Sequence, residues 1–231
     1  MQAMFDPRIV PNPYTALLAA ERPVAEARNS YQRQRARRAG ILATTRAVLA
    51  QGQENFTLRR VAQECGVTVQ TLRNSFGRRE ELMVSAINEH TTAVWEALGA
   101  FSQGPALFLD LAEMYFHCAA ATPDFLRAMV TSAVGAAEPL AVLQRHGSAI
   151  KMGHLRRLAR EGSLRPDADL EALAAQITRL NTFMMYEWAA GGDAIELRRQ
   201  MVTGNRLLLI GAVSAEGARQ LDAWQMSEIA A

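Results

Sequence analysis

The chain has 231 residues, is 49% hydrophobic and 21% charged, and carries a formal net charge of +2. That composition excludes a disordered chain, and two cysteines, Cys65 and Cys118, are too few for a disulfide framework or a cysteine-built zinc site. The charge is unevenly placed. Residues 1–80 hold thirteen arginines against six acids, whereas residues 81–231 hold twelve basic residues against seventeen acids. A basic end joined to a mildly acidic body suits one part that binds a polyanion and another part with a different task. No apolar run approaches the ~18–20 residues of a membrane span, and Met1–Pro13 lacks the layout of a signal peptide. The expectation is a cytoplasmic protein with no membrane partner.

Residues 1–30 read as a flexible N-terminal extension punctuated by Pro7, Pro11, Pro13 and Pro23, with room for a short helix only over Tyr14–Glu21. From Gln32 to Gln51 the pattern is helical, with Ile41, Leu42, Val48 and Leu49 recurring at about seven-residue spacing before the stop at Gly52. Arg33, Arg35, Arg37 and Arg38 crowd the start of this helix, where the helix dipole disfavours cations and a phosphate backbone would compensate. Two short helices follow. Thr57 can cap Leu58–Cys65 and Thr68 can cap Val69–Phe76, with breaks at Gly66 and Gly77. A longer helix runs from Arg78 to about Ala100.

The remainder reads as a helical bundle. Gly104-Pro105, Thr122-Pro123, Glu138-Pro139 and Pro166-Asp167 each open a helix, since proline in a first turn loses no hydrogen bond. These helices end near Ala121, Val134, Gly162 and Gly191-Gly192. Asp193 caps the last long helix, with Glu196 completing a capping box. The fold class is therefore all-α.

The segment from Phe56 to Phe76 meets the requirements of a helix-turn-helix. Ala62 is small where two helices cross, and Gly66 tolerates positive φ at the turn. Val61, Cys65, Val67, Val69, Leu72 and Phe76 can hold the second helix on the first. At ~100° per residue, Val69, Leu72 and Phe76 fall within an arc of ~60° that must face the core. Gln70 and Asn74 point the opposite way with Thr71 beside them, and Arg73 and Ser75 lie on the flanks. Gln and Asn pair with adenine in the major groove, and Arg with guanine or phosphate.

With these residues in place, the segment from Arg37 to Leu82 resembles the DNA-binding domain of the TetR family of regulators. The motif stands as Thr57, Val61-Ala62, Gly66-Val67-Thr68, Thr71 to Phe76 and Arg79-Glu80-Glu81-Leu82. It covers about a fifth of the chain, and Gly162 to Asp167 is also similar to that family. Arg73 and Ser75 stand where the family usually has Tyr and His, and Arg79 where it has Lys. The resemblance implies a three-helix DNA-binding domain over 31–80 and a regulatory and dimerisation domain over 81–231. It implies DNA contacts from Arg37, Arg38, Thr57, Arg59, Thr68, Val69, Gln70, Thr71, Arg73, Asn74, Ser75 and Arg79.

The resemblance further implies a homodimer through the last two helices, reading an inverted-repeat operator, and a small-molecule effector. Two sequence features fit the dimer. Leu170, Leu173, Ala174, Ile177, Leu180, Asn181, Met184 and Trp188 form a stripe at helical spacing, and Gly204, Gly211 and Ala218 are seven apart on one face of the last helix. The alternative for both is a partner helix within the same subunit. For the effector, Trp95, Tyr115, His117, Phe125, Met129, His146, Met184 and Tyr186 are candidate cavity residues. His117, Cys118, His146 and His154 form no spaced metal motif, and no phosphate-binding loop, dinucleotide fingerprint, nucleophile elbow or zinc-protease signature is found. The expectation is a DNA-binding transcriptional regulator and not an enzyme, with no cofactor or metal. The most direct form is a repressor released by an apolar or amphipathic ligand. The alternative is an architectural or effector-independent DNA-binding protein of the same fold.

Overall fold

Helix caps and glycine breaks divide the chain into ten α-helices among the described residues, which are 30–52, 54–121, 123–134 and 137–224 of a computed structural model. They are α1 (Ser30–Leu49), α2 (Leu58–Glu64), α3 (Val69–Phe76), α4 (Arg79–Phe101) and α5 (Leu107–Ala121). Then come α6 (Pro123–Val134), α7 (Ala137–Arg160), α8 (Leu170–Ala189), α9 (Ala194–Ile210) and α10 (Ala215–Ala223). The extension expected over 1–30, with its helix at Tyr14–Glu21, lies outside the described residues apart from Ser30. Among the described residues no single helix is long and apolar enough to cross a membrane.

Two cores organise these helices. The first gathers Ile41, Leu42, Val48 and Leu49 of α1 with Val61, Leu72 and Phe76 of α2 and α3. It extends through Leu82, Met83, Ala86 and Ile87 of α4 and takes in Phe125 of α6. The second fills the body with Trp95, Leu98, Phe108, Leu111, Leu126 and Leu155. Helix α4 belongs to both, contributing Leu82 to Ile87 to one core and Val94, Trp95 and Leu98 to the other. Its 23 residues span about 34 Å at 1.5 Å per residue.

Polar ties fix the helices against each other. Arg46 of α1 donates to the Glu89 carboxylate at 2.7 Å and to the Ala86 carbonyl at 3.4 Å, both on α4. In the body, buried Arg198 of α9 makes two parallel contacts of 2.8 Å with buried Glu113 of α5. Asn205 of α9 donates to the Phe108 carbonyl of α5 at 2.9 Å. A buried, forked Arg–carboxylate pair sets register more than it stabilises, because both charges had to leave water.

Four expectations need correction. Helix α8 starts at Leu170, capped by Asp169, and not at Pro166-Asp167. Gly104-Pro105 opens a short 3-10 turn, Gly104–Ala106, before α5 begins. The long last helix is two helices. It stops at Ile210 because the backbone beyond is taken by the 163–165 loop: Arg165 N–H donates to the Ala212 carbonyl at 2.8 Å and Ser214 N–H to the Ser163 carbonyl at 3.0 Å. Gly211 sits at the helix end and Ala218 lies on separate α10, so Gly204, Gly211 and Ala218 share no helix face. Asp193 caps α9 as expected, but the Glu196 carboxylate is bound by Arg199 and Gln200.

The α8 stripe also has a different use. Leu173, Ala174, Ile177, Asn181 and Trp188 are buried in the chain's own body, and Leu180 and Met184 pack over Gly204 of α9. A Cβ on Gly204 would come within 2.7 Å of Leu180 Cδ2, so this glycine serves close packing within the subunit. The exposed apolar residues lie elsewhere on the two helices: Phe183 and Tyr186 of α8, and Ile195, Leu207 and Ile210 of α9.

The first core contains one titratable group that must stay neutral. His90 of α4 is buried edge-on to Phe125, with ring centroids 5.4 Å apart. Burial, reinforced by Arg46, lowers its pKa to about 4. The folded chain thus binds fewer protons than the unfolded chain between the ordinary imidazole value and 4. The stability tied to neutral His90 is complete above pH 6.5 and is lost as pH falls through 4, about 3 kcal/mol in all. In urea unfolding, His90→Leu should lose about 3 kcal/mol less than the parent between pH 7 and pH 4.

Candidate functional site

The helix-turn-helix is built by two threonine caps and two glycine turns. Thr57 Oγ1 accepts from Arg60 N–H at 3.1 Å, and Thr68 Oγ1 accepts from Thr71 N–H at 3.1 Å. Gly66 takes φ 63°, letting Val67 N–H return to the Ala62 carbonyl at 2.9 Å. Gly77 takes φ 83° after α3, and a Cβ there would fall 1.9 Å from a Glu81 carboxylate oxygen. That carboxylate accepts from Arg78 N–H and starts α4. Position 77 therefore favours glycine on its backbone, and a side chain there would also displace the Glu81 carboxylate from the start of α4.

Helix α3 presents the faces read from the sequence. Leu72 and Phe76 are buried, Val69 is half-buried against the same core, and Gln70, Arg73, Asn74 and Ser75 are exposed. Gln70 Nε2 donates to Asn74 Oδ1 at 2.8 Å. This one bond leaves the Gln70 carbonyl oxygen and the Asn74 amide hydrogens for a partner. Thr68 and Thr71 join their hydroxyls at 2.9 Å.

The arginines divide into two groups. Arg37, Arg59 and Arg73 are exposed side chains on α1, α2 and α3. Arg38 and Arg79 hold structure together. The Arg38 guanidinium lies 4.4 Å from the Phe76 ring centroid and donates to the Ser75 carbonyl at 3.4 Å, tying α1 to the end of α3. Arg79 Nε donates to the Phe56 carbonyl at 2.7 Å, and its guanidinium lies 4.9 Å from the Phe56 ring and 3.4 Å from Glu80. Arg79 clamps the loop before α2 onto the start of α4. The nearby acids are occupied by arginines: Glu64 by Arg60, Glu80 by Arg79 and Glu81 by Arg78. A surface with exposed arginines and compensated acids favours an anionic partner.

The body holds a partly open cavity of about 110 Å³. Its walls include Ile87 and Thr91 of α4, Tyr115 of α5, Met129 of α6, Lys151 of α7 and Asn181 of α8. Of the eight residues expected to line it, Tyr115 and Met129 do so. Trp95 is fully buried, stacked on His154 at 5.1 Å. Phe125 belongs to the helix-turn-helix core, and His146 is hydrogen-bonded to Thr92 at 3.0 Å. His117 packs edge-on to Phe116, Met184 covers Gly204, and Tyr186 is exposed. Among the described residues no three His, Cys, Asp or Glu side chains are grouped to hold a metal. Burial pushes the Cys118 thiol up to about 12, which keeps it a neutral thiol near pH 7.

Lys151 and Asn181 are polar cavity residues that no sequence motif marks. Both are 4% exposed. A signal for Lys151 was present in the composition: it is the chain's one lysine, and the other twenty-four Lys-or-Arg positions are all arginine. For Asn181 there was no such signal, since it fell within an otherwise apolar stripe.

No protein-family model and no curated protein matches the chain. Solved structures do. A TetR transcriptional regulator from Rhodococcus sp. RHA1 superposes with a TM-score of 0.63 at 16% identity, covering 77% of this chain and 98% of that one. Thermus thermophilus FadR, a TetR-family repressor in complex with lauroyl-CoA, gives 0.60 at 19% identity over 75% and 94%. The R. erythropolis repressor QsdR, also of the TetR family, gives 0.56 at 17% identity over 75% and 93%. The agreement covers nearly the full length of each of these proteins, and this chain has the TetR-family fold.

Proposed function

We propose that the chain is a sequence-specific DNA-binding transcriptional regulator, acting in the cytoplasm as a homodimeric repressor that a small apolar or amphipathic ligand releases. The observation that carries the reading is the exposed face of α3. On a capped helix, Gln70 and Asn74 are held side by side with Arg73 next to them, and the buried face is locked by Leu72 and Phe76. That set of donors and acceptors fits base edges and phosphates in a major groove. The TetR-family regulators that share the fold support it.

The dimer reading rests on Phe183, Tyr186, Leu207 and Ile210, large apolar side chains left exposed on α8 and α9. Two copies joined there would present two recognition helices, and half-sites about 34 Å apart would read an inverted repeat. The effector reading rests on α4. Ile87 both lines the cavity and packs in the helix-turn-helix core, so an occupant that displaces it changes the seat of α3. A second reading, a DNA binder of this fold without an effector, is favoured by the cavity's volume, which is below the ~300 Å³ usual for drug-sized ligands.

Operator selection from random DNA, followed by binding assays on variants, tests the main reading. Gln70→Ala and Asn74→Ala should each lose about 1–3 kcal/mol on the selected operator and little on unrelated DNA. Arg59→Ala and Arg73→Ala should weaken all sequences and reduce the salt slope by about one. Arg79→Ala should act through a lower melting temperature, as its clamp on Phe56 is lost. Variants at 70 and 74 that bind the operator like the parent would overturn the assignment of the face.

For the dimer, Leu207→Glu combined with Phe183→Glu should sediment as a folded monomer and lose the preference for inverted repeats. A parent chain that is itself monomeric at micromolar concentration refutes the interface.

A further inference from the structure

The body cavity has one feature that the proposed regulator does not explain. Fourteen residues line it, and none of them is an acid. Yet it contains the chain's one lysine, almost fully buried, in a protein that uses arginine at every other such basic position. Among the described residues Lys151 pairs with no carboxylate. Its ammonium makes a 3.5 Å contact with the Gly147 carbonyl and lies 5.2 Å from the Trp95 ring centroid. Both contacts are weak for a charge removed from water. Asn181 lines the same cavity, with both amide atoms buried and, among the described residues, without a hydrogen-bond partner. Thr178, one turn before, spends its hydroxyl hydrogen on the Ala174 carbonyl. Burial pushes the Tyr115 phenol up to about 12, so it stays a neutral donor.

The geometry points to a receptor site for a small monocarboxylic acid, its carboxylate taken by the Lys151 ammonium and the Asn181 amide and its apolar part seated against Met129, Val130, Leu140 and Leu143. The donor set selects the class. One compact ammonium and one neutral amide match a single negative charge, whereas a phosphate brings up to two charges and more oxygens than these donors satisfy. The volume selects the size. An apolar cavity of about 150 Å³ holds benzene, so about 110 Å³ sets an upper limit near benzoate or hexanoate, with part of the ligand reaching the side that opens to solvent. The inference deepens the effector part of the proposed function and rests on that reading for its regulatory meaning. The binding step does not depend on it.

The test is calorimetric titration of the full chain, without DNA, with benzoate and hexanoate against their neutral amides. At least one acid should bind, and the matching amide at least tenfold more weakly. Lys151→Met should abolish the difference. It should also melt higher than the parent, because a buried charge has been removed, and so report that it is folded. Asn181→Leu serves as an independent second variant and should weaken the acid about tenfold. Burial lowers the Lys151 pKa to about 8, so affinity in the parent should fall about 30-fold from pH 7 to pH 9.5 and stay flat in Lys151→Met. Of the groups around it, burial and the neighbouring cations lower the His154 pKa and burial raises that of Tyr115 on α5, so both stay outside that window; Arg157 stands on the same helix, α4 presents Trp95, and α8 presents Thr178 and Asn181.

Equal binding of acid and amide, no binding of either acid, or acid binding unchanged in Lys151→Met would overturn the receptor. Operator release is measured separately. Acid binding without release keeps the receptor and removes the effector reading. Release by a ligand that Lys151→Met still obeys removes the receptor and keeps the regulator.

Discussion

Helix α4 is the constraint on which the rest of the molecule depends, because one rigid element is shared by two apolar cores. Leu82, Met83, Ala86 and Ile87 pack under the helix-turn-helix, and Val94, Trp95 and Leu98 pack in the body. A helix of this length with side chains locked in cores at both ends transmits displacement instead of absorbing it, since close-packed interiors leave little room for gradual deformation. The polar ties reinforce the same element. Arg46 binds α1 to its middle through Glu89 and Ala86, and Arg79 binds the Phe56 loop to its first turn. Ile87 then stands where cavity wall and helix-turn-helix core are the same residue.

The local parts of this design were legible in the sequence. Thr57, Thr68, Gly66 and Gly77 announce their roles because caps and positive-φ turns are decided within four or five residues. The α3 faces follow from helical geometry alone, and Leu72 and Gln70 fall on the sides that the spacing demands. What was not legible depends on distant partners. The break at Gly211 arises because the loop at 163–165, nearly fifty residues earlier, takes the backbone groups that would have continued the helix. The apolar stripe on α8 has the same spacing whether it faces a second subunit or its own body, and periodicity cannot distinguish the two. Arg79 stands where the family resemblance implies a DNA contact, and what engages it in the fold is Phe56, 23 residues earlier.

The candidate cavity shows the same limit from the other side. Aromatic and methionine side chains were reasonable candidates, yet Trp95 and Phe125 went to the two cores and Tyr186 to the surface. The residues that give the cavity its chemical character are a lysine and an asparagine. Their type would ordinarily assign them to solvent. The lysine's oddity is present in the composition, and only the fold places it in the cavity.

The hydrogen bond between Gln70 and Asn74 has a consequence for recognition that goes beyond which atoms it leaves available. Both side chains have several rotamers, and ordering them at an interface costs roughly 0.5–1.5 kcal/mol for each one immobilised. The bond, one turn of helix long, has already restricted that freedom before any partner arrives. The surface of α3 is thus preorganised. A partner that matches the clasped arrangement binds a shape already present, and one that needs the amides apart must first break the clasp. Discrimination on this face is built into its own entropy as well as into its contacts.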